Sequence, residues 1–88
     1  MPTIVARHKV GNIDTWLKGH QERVEVFAPA VSGFMTFQDS DDPKSVVLVL
    51  EVTNMEMLVE IVNGPQNVGL KLKHTVLEPI IMSMPVDL

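Results

Sequence analysis

Three histidines, His8, His20 and His74, are the side chains of this chain whose ordinary titration falls near neutral pH. His20 is the most informative of them. Ile13, Trp16, Leu17, His20, Val24, Phe27 and Ala28 recur at spacings of three and four, so on a helix His20 shares their apolar stripe and points at whatever the stripe packs against. His8 shares a strand face with Ile4, Ala6 and Val10 in the segment TIVARHKV. An imidazole among apolar neighbours is either a core histidine satisfied by a hydrogen bond or a working acid, base or anion clamp. Depth links the two. His8 lies about three residues up a strand rising ~3.3 Å per residue, and His20 about seven residues along a helix rising ~1.5 Å per residue, so each is roughly 10 Å from the connecting turn. If the Ile4-Ala6-His8 face looks at the helices, the two rings are level in one pocket and form the candidate catalytic pair. With the opposite parity His8 enters a sheet-to-sheet interface, and Arg7 and Lys9 face the helices.

Trp16 and Met35 are the candidate ligand-binding residues, Trp16 as pocket wall or plain core, Met35 as one of several methionines able to line an adaptable apolar pocket or fill gaps in a core. Glu51 closes an apolar strand and reads as its exit to solvent. Lys71, Lys73 and His74 read as a solvated helix face, too sparse to track phosphates, and a net charge of -4 disfavours nucleic acid as a partner. No metal is expected: there is no cysteine, the histidines are scattered, and His20 and Glu22, two apart on a helix, diverge. No cofactor is implied either, and no activated nucleophile or carboxylate pair stands out.

The elements that must position these residues follow from period and turn chemistry. Thr3–Val10 reads as a strand; Gly11-Asn12 ends it, and Asp14 is placed to cap a helix from Thr15 that stops at Pro29. Val31–Gln38 and Ser45–Val52 form a hairpin across the polar tract Asp39 to Lys44. Asn54 caps a helix through Val62 whose inner face is Met55, Leu58, Val59 and Val62. Gly64-Pro65 breaks it before a further helical turn or two to Lys73, and Glu78 to Pro85 is the last strand.

With 88 residues the chain makes one domain, residues 1–88, and a body this small needs help: disulfides are excluded, which leaves oligomerisation. The composition, 45% hydrophobic against 20% charged, is too apolar for disorder and leaves apolar surface for a partner. The first residues show no secretory signal, and the longest aliphatic run, Val46 to Leu50, is five residues against the roughly 20 that span a membrane, so a cytoplasmic protein is expected.

The order β, α, β, β, α, β is that of a ferredoxin-like α+β fold, a four-stranded antiparallel sheet with both helical segments on one face. SVVLVLEV and the last strand are apolar on both sides, so the open face calls for a second copy, a homodimer pressed sheet to sheet. Arg7-His8-Lys9-Val10 running into Asp14-Thr15-Trp16, the Asp41-Asp42-Pro43 loop and the Val46 to Glu51 strand resemble the dimeric α+β barrel superfamily, which includes antibiotic-biosynthesis monooxygenase-like proteins. The resemblance covers nearly the whole chain and implies a barrel closed across the dimer, with a pocket between sheet and helices in each subunit. Haem-degrading members combine an asparagine, a tryptophan and a helical histidine; Asn12, Trp16 and His74 do not fall at equivalent places. Quinone-type members lean on tyrosine, which is absent here. Two functions stay open: a cofactor-free enzyme of oxygenase, isomerase or cyclase type using a pocket histidine on a small apolar or aromatic molecule, or a ligand-binding or regulatory module without turnover.

Overall fold

A computed structural model of the chain describes residues 2–86. Strands β1 (Thr3–Val10), β2 (Val31–Gln38), β3 (Ser45–Val52) and β4 (Val76–Ser83) form one antiparallel sheet in the order β2-β3-β1-β4. Helices α1 (Ile13–Lys18) and α2 (His20–Phe27) connect β1 to β2, and α3 (Met55–Asn63) and α4 (Pro65–Lys73) connect β3 to β4. This is the ferredoxin-like α+β arrangement, with the helices on one face.

Parity along the two central strands is unambiguous. Ile4, Ala6, His8 and Val10 on β1 are buried, and so are Val46, Leu48, Leu50 and Val52 on β3. Their register pairs Ala6 with Leu48 and His8 with Val46, so both sets share the helix-facing side, where Trp16, Phe27 and Leu58 complete the core. The other face is apolar and uncovered: Val5, Val47 and Val49 are half-buried, while Phe37 and Ile81 stand 50% and 54% exposed. Glu51 lies on this open face and is no simple exit to solvent. Its two carboxylate oxygens sit 2.9 and 3.0 Å from the Thr3 hydroxyl, and its side chain covers the bare Cα of Gly33.

The helices differ from expectation at their ends and in their phase. Asn12, not Asp14, caps the first one: its backbone is extended, its side-chain oxygen accepts from the Thr15 amide at 3.0 Å, and the helix therefore starts at Ile13. That leaves Asp14 in the first turn, where a carboxylate complements the helix dipole. The expected single helix is two, broken at Gly19. The buried stripe is Trp16, Gly19, Arg23 and Phe27, whereas Leu17 and Ala28 are exposed and His20 is only half-buried. Asn54 caps α3 through the Met57 amide at 3.0 Å, but Leu58, Ile61 and Val62 face the core and Met55 and Val59 turn outward.

Strand β4 begins at Val76 rather than Glu78 and carries a bulge. Arg7 pairs with Ile81 and Lys9 with Leu77, so Glu78, Pro79 and Ile80 together stand opposite His8. Proline has no N–H for the ladder and is tolerated on an edge strand at such an irregularity.

Candidate functional site

Between the sheet and the helices lies a cavity of about 80 Å³. Ala6, Leu48 and Leu50 form its floor, Leu58, Val62 and Leu70 its roof, and Val76 and Ile80 its side along β4. Lys71 and Met82, the first half-buried and the second exposed, belong to the same lining and mark its mouth at the β4 edge. Lys71 is held there by an ion pair of 3.1 Å with Glu78 in the bulge.

Four polar side chains stand in the wall of this apolar space: His8, Arg23, Asn67 and His74, each buried. His8 makes one hydrogen bond among the described residues, from Nδ1 to the Lys9 carbonyl at 3.1 Å. A carbonyl only accepts, so Nδ1 carries the proton and Nε2 keeps a free lone pair. Burial pulls the His8 pKa below its ordinary value, the Lys9 carbonyl opposes that, Arg23 adds to it, and Glu78 opposes it; the net effect favours the neutral base. Its ring meets Trp16 edge-on, with centroids 5.8 Å apart.

Arg23, His74 and Glu22 form a chain of hydrogen bonds running outward. Arg23 Nη1 donates to His74 Nδ1 at 3.1 Å, and His74 Nε2 donates to Glu22 Oε1 at 2.9 Å. Arginine can only donate, so His74 is the neutral tautomer protonated on Nε2. Its pKa is lowered, first by burial, with Arg23 and Lys73 adding and Glu22 opposing. The Arg23 guanidinium lies 4.0 Å above the Trp16 ring, a cation–π stack, and burial pulls its pKa down to about 10, leaving it charged at neutral pH. Asn67 donates to the Val62 carbonyl at 3.0 Å and joins α4 to α3 beside the cavity.

His74 is placed by the turn after α4. Thr75 takes a left-handed backbone, φ 60, which a β-branched residue adopts only when its surroundings impose it. Here the Gly11 amide donates to the Thr75 carbonyl at 2.8 Å and the Asn12 amide to the Thr75 hydroxyl at 3.0 Å, locking the α4–β4 turn to the β1–α1 turn. The reading of Lys71, Lys73 and His74 as one solvated face therefore fails at His74, which is 3% exposed.

Of the four residues singled out from the sequence, the cavity brings together His8 and Trp16. His20 is not part of its lining. It lies over β2, where its Nδ1 and the Thr36 hydroxyl share a hydrogen bond of 3.2 Å and its ring meets Phe34 at 5.9 Å. The two imidazoles are thus on the same side of the sheet but apart, because Arg23 takes the inward phase that His20 was expected to hold. Met35 pairs with Val49 and stands on the open face of the sheet. A charge on a helix reads as a solvent face, so hydropathy alone does not mark Arg23 as buried. Its spacing, seven residues after Trp16 and four before Phe27, was the signal.

Among the described residues, no group of three or more His, Cys, Asp or Glu could hold a metal ion, and no helix is long and apolar enough to cross a membrane. A ferredoxin-like sheet with a small lined cavity beneath its helices defines the class by fold. No protein-family model matches the chain, and no curated protein matches it in sequence. Solved structures do match. A crystal structure described as an antibiotic biosynthesis monooxygenase superposes with a TM-score of 0.76 at 19% identity, over 100% of this chain and 99% of that one. SnoaB, a cofactor-independent oxygenase from Streptomyces nogalater, superposes with a TM-score of 0.75 at 13% identity, over 98% of this chain and 91% of its own. A conserved protein from Methanosarcina mazei Go1 matches with a TM-score of 0.71 at 10% identity, over 96% and 89%. At these identities the likeness is one of fold: this chain has the antibiotic-biosynthesis-monooxygenase-like fold.

Proposed function

We propose that the chain is a cofactor-free enzyme that draws a proton from a small apolar or aromatic molecule held in the cavity, with His8 as the base. Proton removal is the first step that oxygenase, isomerase and cyclase chemistry can share. The observation that carries this is the state of His8: Nδ1 is tied to the Lys9 carbonyl, Nε2 is free, and the ring is neutral beside an apolar space. Trp16 orients that ring from its edge. The likeness in fold to a protein described as a cofactor-independent oxygenase supports the same class.

The working form in this reading is a cytoplasmic homodimer. Val5, Met35, Phe37, Val47, Val49 and Ile81 leave an apolar sheet face that a second copy would cover, and Met35 then meets the partner rather than the cavity ligand.

The test is exchange of substrate protons with deuterated solvent, followed by NMR together with oxygen consumption, over a panel of small phenols and enolisable ketones. His8→Gln keeps a donor toward the Lys9 carbonyl and removes the base, so exchange should fall by about 10²-fold or more. Unchanged exchange in that variant would remove His8 from the chemistry. Binding without exchange in the unaltered chain would leave the ligand-binding module.

A further inference from the structure

We propose that the cavity is built for a small organic acid, its carboxylate taken by the free edge of the Arg23 guanidinium with the Trp16 indole N–H as a third donor. This names the substrate class of the site proposed above and rests on the cavity being the ligand site.

Arg23 is 4% exposed, and one of its three nitrogens is satisfied: Nη1, by His74. Nε and Nη2 are buried without a partner, as is Trp16 Nε1. These are the polar side-chain atoms left orphaned in the described structure, and all three belong to residues of this cavity wall. Buried donors are ordinarily paired, so three unmade bonds on two stacked residues of one wall call for an acceptor that enters with a ligand. Nε and Nη2 are not two arbitrary nitrogens. They form one edge of the planar guanidinium, the two-donor fork that matches the two oxygens of a carboxylate.

Charge points the same way. Arg23 carries a positive charge, Lys71 at the mouth carries another, and no aspartate or glutamate lines the cavity. Glu22 reaches Arg23 only through the neutral His74, and its second oxygen is engaged by Lys73 at 3.2 Å. Glu78 is turned to Lys71. A buried cation with no anion beside it is costly to keep unless its counter-charge comes with the ligand. A neutral ligand would leave that cost in place; an acid removes it.

The rest of the wall describes the rest of the molecule. Ala6, Leu48, Leu50, Leu58 and Ile80 offer no polar side chain, and about 80 Å³, against roughly 150 Å³ for a closed cavity that takes benzene, limits the ligand to a short branched chain or a single ring reaching into the mouth, never a polycycle. The acid is compact and otherwise apolar, and His8 faces the same space.

The chain has a single tryptophan, so the indole N–H of Trp16 is one unambiguous signal in a nitrogen-15 correlation spectrum of the full chain. Titration with benzoate and with isobutyrate, each against its own amide, reads the site directly. Both acids should move the indole and Arg23 Nε–H signals saturably, and bind at least about tenfold more tightly than the amides. Arg23→Met should abolish that preference, and His20→Ala, outside the cavity lining, should keep it. Acid and amide titrating alike, or neither acid moving either signal, overturns the proposal; because this comparison is made on the unaltered chain, it holds even if Arg23→Met does not fold. Acid binding without proton exchange would sink the His8 chemistry and leave the anion site standing. Exchange on neutral substrates with no acid preference would do the reverse.

Discussion

The His74 imidazole rests on the bare Cα of Gly19, so close that a Cβ at position 19 would strike three of its ring atoms. That contact joins the end of α4 to the break between α1 and α2. It also sets the phase in which Arg23, four residues on, reaches the cavity wall.

Gly19→Ala should therefore destabilise the fold although alanine is the better helix former. The ring is rigid and itself hydrogen-bonded on both sides, so relief of the overlap must come from backbone or from the His74 contacts, at a net cost of about 1–3 kcal/mol. Gly69→Ala is the matched control: it lies within α4 with open space where its Cβ would go, and should stabilise by about 0.5–1 kcal/mol. Urea melts of the two variants should move in opposite directions. A stabilised Gly19→Ala would mean that His74 is not packed on this helix.

Stability should fall as the pH drops below about 6.5. His8 and His74 both have pKa values lowered from 6.5 by burial, so below that value the unfolded chain binds more protons than the folded one. Stability is complete above 6.5 and is lost progressively toward the lowered pKa values. The groups facing the two rings are Arg23 and Glu78 at His8, and Arg23, Lys73 and Glu22 at His74. Glu22, Asp42 and Glu78 are lowered by their lysine partners Lys73, Lys9 and Lys71, but from 4.5, 3.8 and 4.5, so their contribution is lost at more acid pH and is weakened by exposure to solvent. Urea midpoints from pH 7.5 to 5 should decline, and a His8→Gln, His74→Gln double variant should decline less. A flat profile for the unaltered chain would show that both rings protonate within the fold.

Light scattering coupled to size exclusion at micromolar concentration should report about twice the 9.8 kDa chain mass. Val47 is the position to challenge, since it faces the open side of β3 while its neighbour Leu48 is buried under the helices. Val47→Glu places an unpaired charge in the proposed interface and should give monomers or unfolded chain. A dimer unchanged by this substitution would place the interface elsewhere, and a monomeric mass for the unaltered chain would remove the barrel.

His20→Ala should lose about 0.5–1.5 kcal/mol, the worth of the hydrogen bond to Thr36, without altering ligand binding in the cavity. Thermal melts with and without benzoate check both halves. A variant of normal stability that no longer bound ligand would return His20 to the site.

What the sequence determined by itself is what short-range chemistry controls. The strand at Ser45–Val52, the Asn54 cap, the proline that opens α4 and the strand beginning at Thr3 all follow from period and turn residues within a few positions of one another. The strand face shared by His8, Ile4 and Ala6 was legible too, but not which way it looked, because alternation defines two faces without saying which one the helices cover. Only the tertiary structure decided that, by laying α1 to α4 on the side of Ala6 and Leu48. It also decided the helix phase. His20 and Arg23 lie on the same quarter of an ideal helix, and a hydropathy stripe prefers the histidine. The chain buries the arginine instead, because Trp16 stacks beneath it and His74, 51 residues away, accepts its hydrogen bond. Periodicity is a property of one element, whereas the partner that makes a buried charge tolerable comes from another, and only folding brings the two together.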